Sequence, residues 1–164
     1  MKTTIRQGTF KTNSSSTHAI VMYSDTEATM MKNGEAWCSN ENEVWTADEI
    51  ATYLKNNFKN NEKYSKDIET VTPATVKSVI QKVSKGRSCA DFRDIDYEKA
   101  LFNPWYGIID SESTTLELLI EIDLCFFTSV DAWLNSQDEY ETFSDSYTLP
   151  DGHVVYAEGY YGYS

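Results

Sequence analysis

The last stretch of the chain, YETFSDSYTLPDGHVVYAEGYYGYS from Tyr140 to Ser164, sets a Pro150-Asp151-Gly152 turn between two segments rich in Tyr, Val, Phe and Thr. Proline presets the backbone for the first central turn position, aspartate bonds its own backbone, and glycine accepts a left-handed conformation, so the triplet reverses the chain. Aromatic and β-branched residues on either side fit a pleated surface. The segment therefore reads as two strands of a hairpin with a tyrosine-rich tail. A hairpin alone is barely stable in water, and the remaining sequence must supply further strands or helices to cover it.

Further strands are predicted at HAIVMYS, at EAWCS and NEVW around Asn40, and over TLELLIEIDL, which alternates apolar and polar residues. KTTIRQGTF also reads as a strand, which makes the polar run Asn13, Ser14, Ser15, Ser16, Thr17 the connection of an N-terminal hairpin. Helices are predicted where capping signals meet a 3.6-residue period. SDTEATMMKNG has Ser24 or Asp25 as its cap and Gly34 past its end. Thr46 and Glu49 form a capping box ahead of Ile50, Tyr53, Leu54 and Phe58. Thr72 caps a helix with Pro73 in first position, a Val76, Val79, Ile80, Val83 stripe, and Gly86 at its close. Shorter helical segments are expected at DIDYEKALF, ended by Asn103-Pro104, and at SVDAWLNS. The expected fold is α+β, a largely antiparallel sheet with two or three helices in one domain over residues 1–164. A chain of 164 residues buries roughly 70% of its unfolded surface and folds without staples.

Charge is unevenly distributed. Residues 1–100 hold 14 acids and 14 Lys plus Arg, whereas residues 101–164 hold 12 acids and no Lys or Arg, so the net −12 belongs to the last part. Lys55, Lys59, Lys63, Lys66, Lys77, Lys82, Lys85 and Arg87 face only Glu62, Asp67 and Glu69 between 51 and 87, which gives a basic helical segment. A charge dipole is the expectation. Cys38, Cys89 and Cys125 are odd in number and widely spaced, which fits a reducing compartment. No signal-peptide core and no uninterrupted apolar span is present, so a cytoplasmic, non-membrane protein is expected.

Catalytic templates find little purchase. There is no G-x-S-x-G around a serine, no H-E-x-x-H, no C-x-x-C, no GxxxxGK[ST] and no GxGxxG, so no catalytic residue, metal or cofactor is assigned. His18 and His153 fit strand and hairpin positions. The acids Asp138, Glu139, Glu141 and Asp145, interleaved with Tyr140, Tyr147, Tyr156, Tyr160, Tyr161 and Tyr163, fit a recognition surface instead. Carboxylates pair with Arg and Lys, tyrosines give anchoring area, and an acidic face is steered to basic protein surfaces or imitates DNA phosphates. Two other uses remain open. Ser14, Ser15, Ser16 and His18 offer hydroxyls and an imidazole for an enzyme acting on a nucleotide or phosphorylated group. Lys77, Lys82 and Lys85 offer a phosphate-contacting face for nucleic acid within the Lys55–Arg87 segment.

The N-terminal run Arg6, Gly8, Phe10, Thr12, Asn13, Ser14, Ser15, Ser16, Thr17, His18 resembles the opening of small proteins of phages and mobile elements, which begin R-x-G-x-F-x-T-N-S-S-S-T/S-H. It covers about a tenth of the chain. Proteins of that origin, size and acidity include anti-CRISPR inhibitors. The resemblance thus implies an inhibitor, not an enzyme, that works in the host bacterial cytoplasm. Its partner would be a host CRISPR effector nuclease, of type II by preference, with guide RNA as an additional contact, and its binding would block DNA binding or cleavage.

Overall fold

The computed structural model describes residues 16–102, 111–137 and 139–163. The chain divides into two compact units, Met1–Trp45 with Phe127–Ser164, and Thr46–Phe126. In chain order the elements begin with β1 (Ser16–Ser24), α1 (Asp25–Lys32), β2 (Ala36–Ser39), β3 (Val44–Thr46), α2 (Ala47–Phe58) and α3 (Pro73–Val83). They continue with β4 (Cys89–Asp91), α4 (Tyr97–Phe102), α5 (Ser111–Glu121), β5 (Cys125–Phe127), α6 (Val130–Asn135), β6 (Glu141–Thr148) and β7 (Val154–Tyr163). The class is α+β, as the sequence indicates, with six α-helices among the described residues against two or three expected. No helix among them is long and apolar enough to cross a membrane. The three cysteines are free thiols.

In the first unit, β7 lies between β1 and β6 and runs antiparallel to both. The hairpin reversal is the one written in the sequence. Gly152 N donates to Leu149 O at 2.9 Å, Leu149 N donates to His153 O at 2.7 Å, and Gly152 takes φ +90°. That positive φ is why glycine stands there. Directly opposed residues of an antiparallel pair share a face. Ala19, Val21 and Tyr23 therefore share one face with Tyr160, Glu158 and Tyr156 of β7 and with Thr142, Ser144 and Ser146 of β6. The β1 and β7 part of this inner face packs on the unit's other elements, whereas Thr142, Ser144 and Ser146 of β6 are exposed: Ala19 and Val21 are buried, and the buried Trp133 of α6 has its ring 5.5 Å from that of Tyr160. α1 starts on a reciprocal cap, with Glu27 N donating to Ser24 Oγ and Ser24 N to Glu27 Oε1, both at 3.1 Å. It ends ahead of Gly34 at φ 71°.

The expected N-terminal hairpin falls partly on residues outside those described, namely Met1 to Ser15. Its second strand is β1, but β1 begins two residues before His18. Ser16 pairs with Tyr163 and Thr17 with Gly162, so these two belong to the strand and not to the connection.

The hairpin tip touches the start of α1. Asp25 accepts from His153 Nδ1 at 3.0 Å and from Val154 N at 3.2 Å. The hydrogen bond from His153 holds the Asp25 carboxyl below its usual range, and Asp25 in turn raises the His153 imidazole above the ordinary 6.5. A raised histidine contributes stability below 6.5 and loses it as pH rises through its folded value. A lowered aspartate contributes above 3.8 and loses it as pH falls through its folded value. The contact is therefore complete between roughly pH 4 and 6.5. In an NMR titration the His153 midpoint should lie above 6.5 in the native chain and return toward 6.5 in Asp25→Asn. A native midpoint at or below 6.5 would contradict the contact.

In the second unit, α2 and α3 carry the caps read from sequence. Glu49 N donates to Thr46 Oγ1 at 3.1 Å, with Thr46 N donating back to Glu49, and Pro73 opens α3 behind Thr72. Val76, Val79, Ile80 and Val83 are all buried, as are Ile50 and Leu54. Tyr53, assigned to the α2 apolar face, is instead 38% exposed. Its slot in the stripe falls at the edge of the buried arc, which Ile50, Ala51 and Leu54 occupy.

TLELLIEIDL is the principal correction. Its residues 115–121 belong to the helix Ser111–Glu121, and the strand begins only at Cys125. Thr115, Leu116, Leu118 and Leu119 are the buried residues, an i, i+1, i+3, i+4 set that is one face of a helix. Leucine and glutamate are also strong helix formers, and the apparent alternation covered too few residues to outweigh that.

Candidate protein-binding face

The strand period divides the predicted recognition residues between two faces of the first unit's sheet. Tyr156 and Tyr160 point inward. Tyr156 stacks on Tyr23 at 5.2 Å, and Tyr160 lies between Trp133 and Tyr140, 5.0 Å from the latter ring. Burial raises the Tyr160 hydroxyl, as it does more strongly for Tyr23, which donates to Glu158. Tyr140 fills the space a side chain at Gly162 would need. These tyrosines hold the sheet to its own unit. Glu139 is exposed just ahead of β6, and Asp138 lies outside the described residues.

The outer face carries the other four. Rows of directly opposed residues run across the three strands: His18, Tyr161, Glu141; then Ile20, Gly159, Phe143; then Met22, Ala157, Asp145; then Ser24, Val155, Tyr147. Tyr147 is 67% exposed and Tyr161 37%. Tyr161 Oη donates to Glu141 Oε2 at 2.6 Å, and Ser146 N donates to Asp145 Oδ1 at 2.8 Å, so both carboxylates are oriented before any partner arrives. The His18 ring stacks on Tyr161 at 6.3 Å, and the Phe143 ring lies across Gly159. Glu141 and Asp145 are four residues apart on one strand, roughly 13 Å, so they present two separate charges and not a carboxylate pair.

The apolar members of this face, Ile20, Met22, Phe143, Val155 and Ala157, were not singled out from sequence. Both alternate sets of β1 are apolar, Ala19 and Val21 in one and Ile20 and Met22 in the other, so which set faces outward is fixed by the register alone. Around the face the unit is strongly acidic. Its described residues carry eleven Asp and Glu side chains against Lys32 alone, with Lys2, Arg6 and Lys11 outside them.

The remaining predicted residues lie elsewhere. Ser14 and Ser15 lie outside the described residues, whereas Ser16 and His18 sit in β1, paired residue by residue with β7. Lys77, Lys82 and Lys85 lie on or just after α3, but Lys82 is bound to Glu112 of α5. Lys63 is similarly bound to Glu117. Burial alone would raise the Glu117 carboxyl, but hydrogen bonds from Lys63 and from Tyr97, the latter at 3.0 Å, outweigh it and hold it low. The expected charge dipole is thus muted. Among the described residues, folding brings four acids of the lysine-free part, Glu112, Glu117, Glu121 and Asp123, into the same unit as the basic segment.

No family model, no curated protein and no solved structure matches the chain.

Proposed function

We propose that this protein is a stoichiometric inhibitor that docks its outer β-sheet face on a basic surface of a nucleic-acid-handling enzyme. In keeping with its N-terminal resemblance, the target is a CRISPR effector nuclease of the host cell. The observation that carries the reading is the outer face itself: Glu141 and Asp145 held in place beside exposed Tyr147 and Tyr161, over an apolar floor, in a unit whose described residues carry eleven acids and one lysine. Exposed aromatics supply contact area at low entropic cost, and fixed carboxylates select an arginine- or lysine-rich partner. Contact here combines apolar area with two charges, which favours protein docking over a row of carboxylates at phosphate spacing.

A titration of a type II effector nuclease with the protein tests the mode of action. Cleavage should fall in proportion to added protein and level off at a fixed molar ratio, with no dependence on incubation time beyond the binding phase. Complete inactivation at sub-stoichiometric amounts, deepening with time, would indicate turnover and overturn the reading.

A further inference from the structure

On the outer face the row Met22, Ala157, Asp145 borders the row containing Val155 and Tyr147, and between them lies a shallow groove of about 140 Å³ lined by Met22, Asp145, Ser146, Tyr147, Val155 and Ala157. Its volume is well below the roughly 300–1,000 Å³ of small-molecule sites, so it is the size of a side chain. Ala157 gives it depth because it stands between the longer Met22 and Asp145. The floor is apolar, and the rim has one carboxylate and one exposed phenol ring.

We propose that this groove is an arginine pocket, the anchor point for an arginine side chain of the partner. This rests on the docking reading above and names the chemistry recognised there. The methylene stem lies over Met22, Val155 and Ala157, the guanidinium meets the Asp145 carboxylate, and the ring of Tyr147 covers its plane. Charge complementarity selects a cation, since the surrounding unit is acidic. Arginine is preferred to lysine because its planar, weakly hydrated head both stacks on an aromatic ring and forks onto a carboxylate, whereas an ammonium keeps its water. Asp145 is already turned by the Ser146 amide, so little order is lost on binding.

The test is an NMR titration of the full chain, labelled at Met, Val and Ala methyls, with the peptides Ac-Gly-Arg-Gly-NH2, Ac-Gly-Lys-Gly-NH2 and the uncharged citrulline analogue. The arginine peptide should move the Met22, Val155 and Ala157 methyl signals along a saturable curve. The lysine peptide should bind at least threefold more weakly, and the citrulline peptide should leave the signals in place. Asp145→Asn and Tyr147→Ala, both at exposed positions, should abolish the arginine response while the rest of the spectrum is unchanged. Equal shifts with citrulline, an undiminished response in either variant, or shifts confined to other methyls would overturn the pocket. If the arginine peptide fails while the intact nuclease still binds, the pocket is wrong and the docking reading stands. If the peptide binds as described and no nuclease is inhibited, the docking reading fails alone.

Discussion

Gly159→Ala is expected to destabilise the first unit by roughly 3 kcal/mol, the upper end of the usual cost of forcing extra volume into a packed position. For a chain of this size that is a fall in melting temperature of roughly 6–12 °C. A Cβ at this position would meet two neighbours. One is the ring of Phe143, 2.7 Å from its Cζ, which lies across the glycine on the outer face. The other is the carbonyl oxygen of Ala19 in the adjacent strand, which is backbone and cannot rotate away. Removing the ring should therefore recover little, and Gly159→Ala combined with Phe143→Ala should remain well below Phe143→Ala alone. Gly152→Ala serves as the contrast, because its Cβ would point into open space and the cost is conformational, from φ +90° alone. That change should cost about 1 kcal/mol. Equal losses for the two glycines would mean that β1 and β7 do not approach as closely at Gly159 as described.

The features legible in the sequence were local. Thr46 with Glu49 and Thr72 with Pro73 place helix starts because the cap and its partner are at most three residues apart, while at α1 the sequence offers Ser24 or Asp25 and the structure has Ser24 as the cap, paired with Glu27. The Pro150-Asp151-Gly152 reversal is legible for the same reason. Features that depend on distant partners were not. The segment of α5 reads as a strand because its leucines alternate with glutamates over a short span, and the helical face becomes distinguishable only when Thr115 and Leu118 are known to be buried. The pairing of Lys82 with Glu112 spans 30 residues of sequence, so a run of lysines that looked free of counter-charge was partly neutralised on folding. The division of the tyrosines is the most instructive case for function. Tyr160 and Tyr161 are adjacent and chemically identical, yet one packs on Trp133 inside the unit and the other presents its hydroxyl to Glu141 on the outer face. A one-residue change of register would exchange them, and sequence without a partner strand does not fix which is which.

The central claim is that the outer face, and not acidity in general, engages the partner, and association kinetics measured against salt test it most directly. Glu139→Gln, Glu141→Gln and Asp145→Asn together remove three negative charges at the outer face and its edge. Glu62→Gln, Glu69→Gln and Asp94→Asn remove the same number from exposed positions in the second unit. Steering depends on charge near the contact, because the screening length is about 10 Å at 0.1 M salt and about 4 Å near 0.5 M. At low salt the outer-face variant should bind the effector nuclease roughly tenfold more slowly than the native protein, and the gap should shrink near half-molar salt. The second-unit variant should stay within about twofold of native throughout. Equal slowing by both variants would reduce the effect to net charge, and unchanged rates in the outer-face variant would contradict the account.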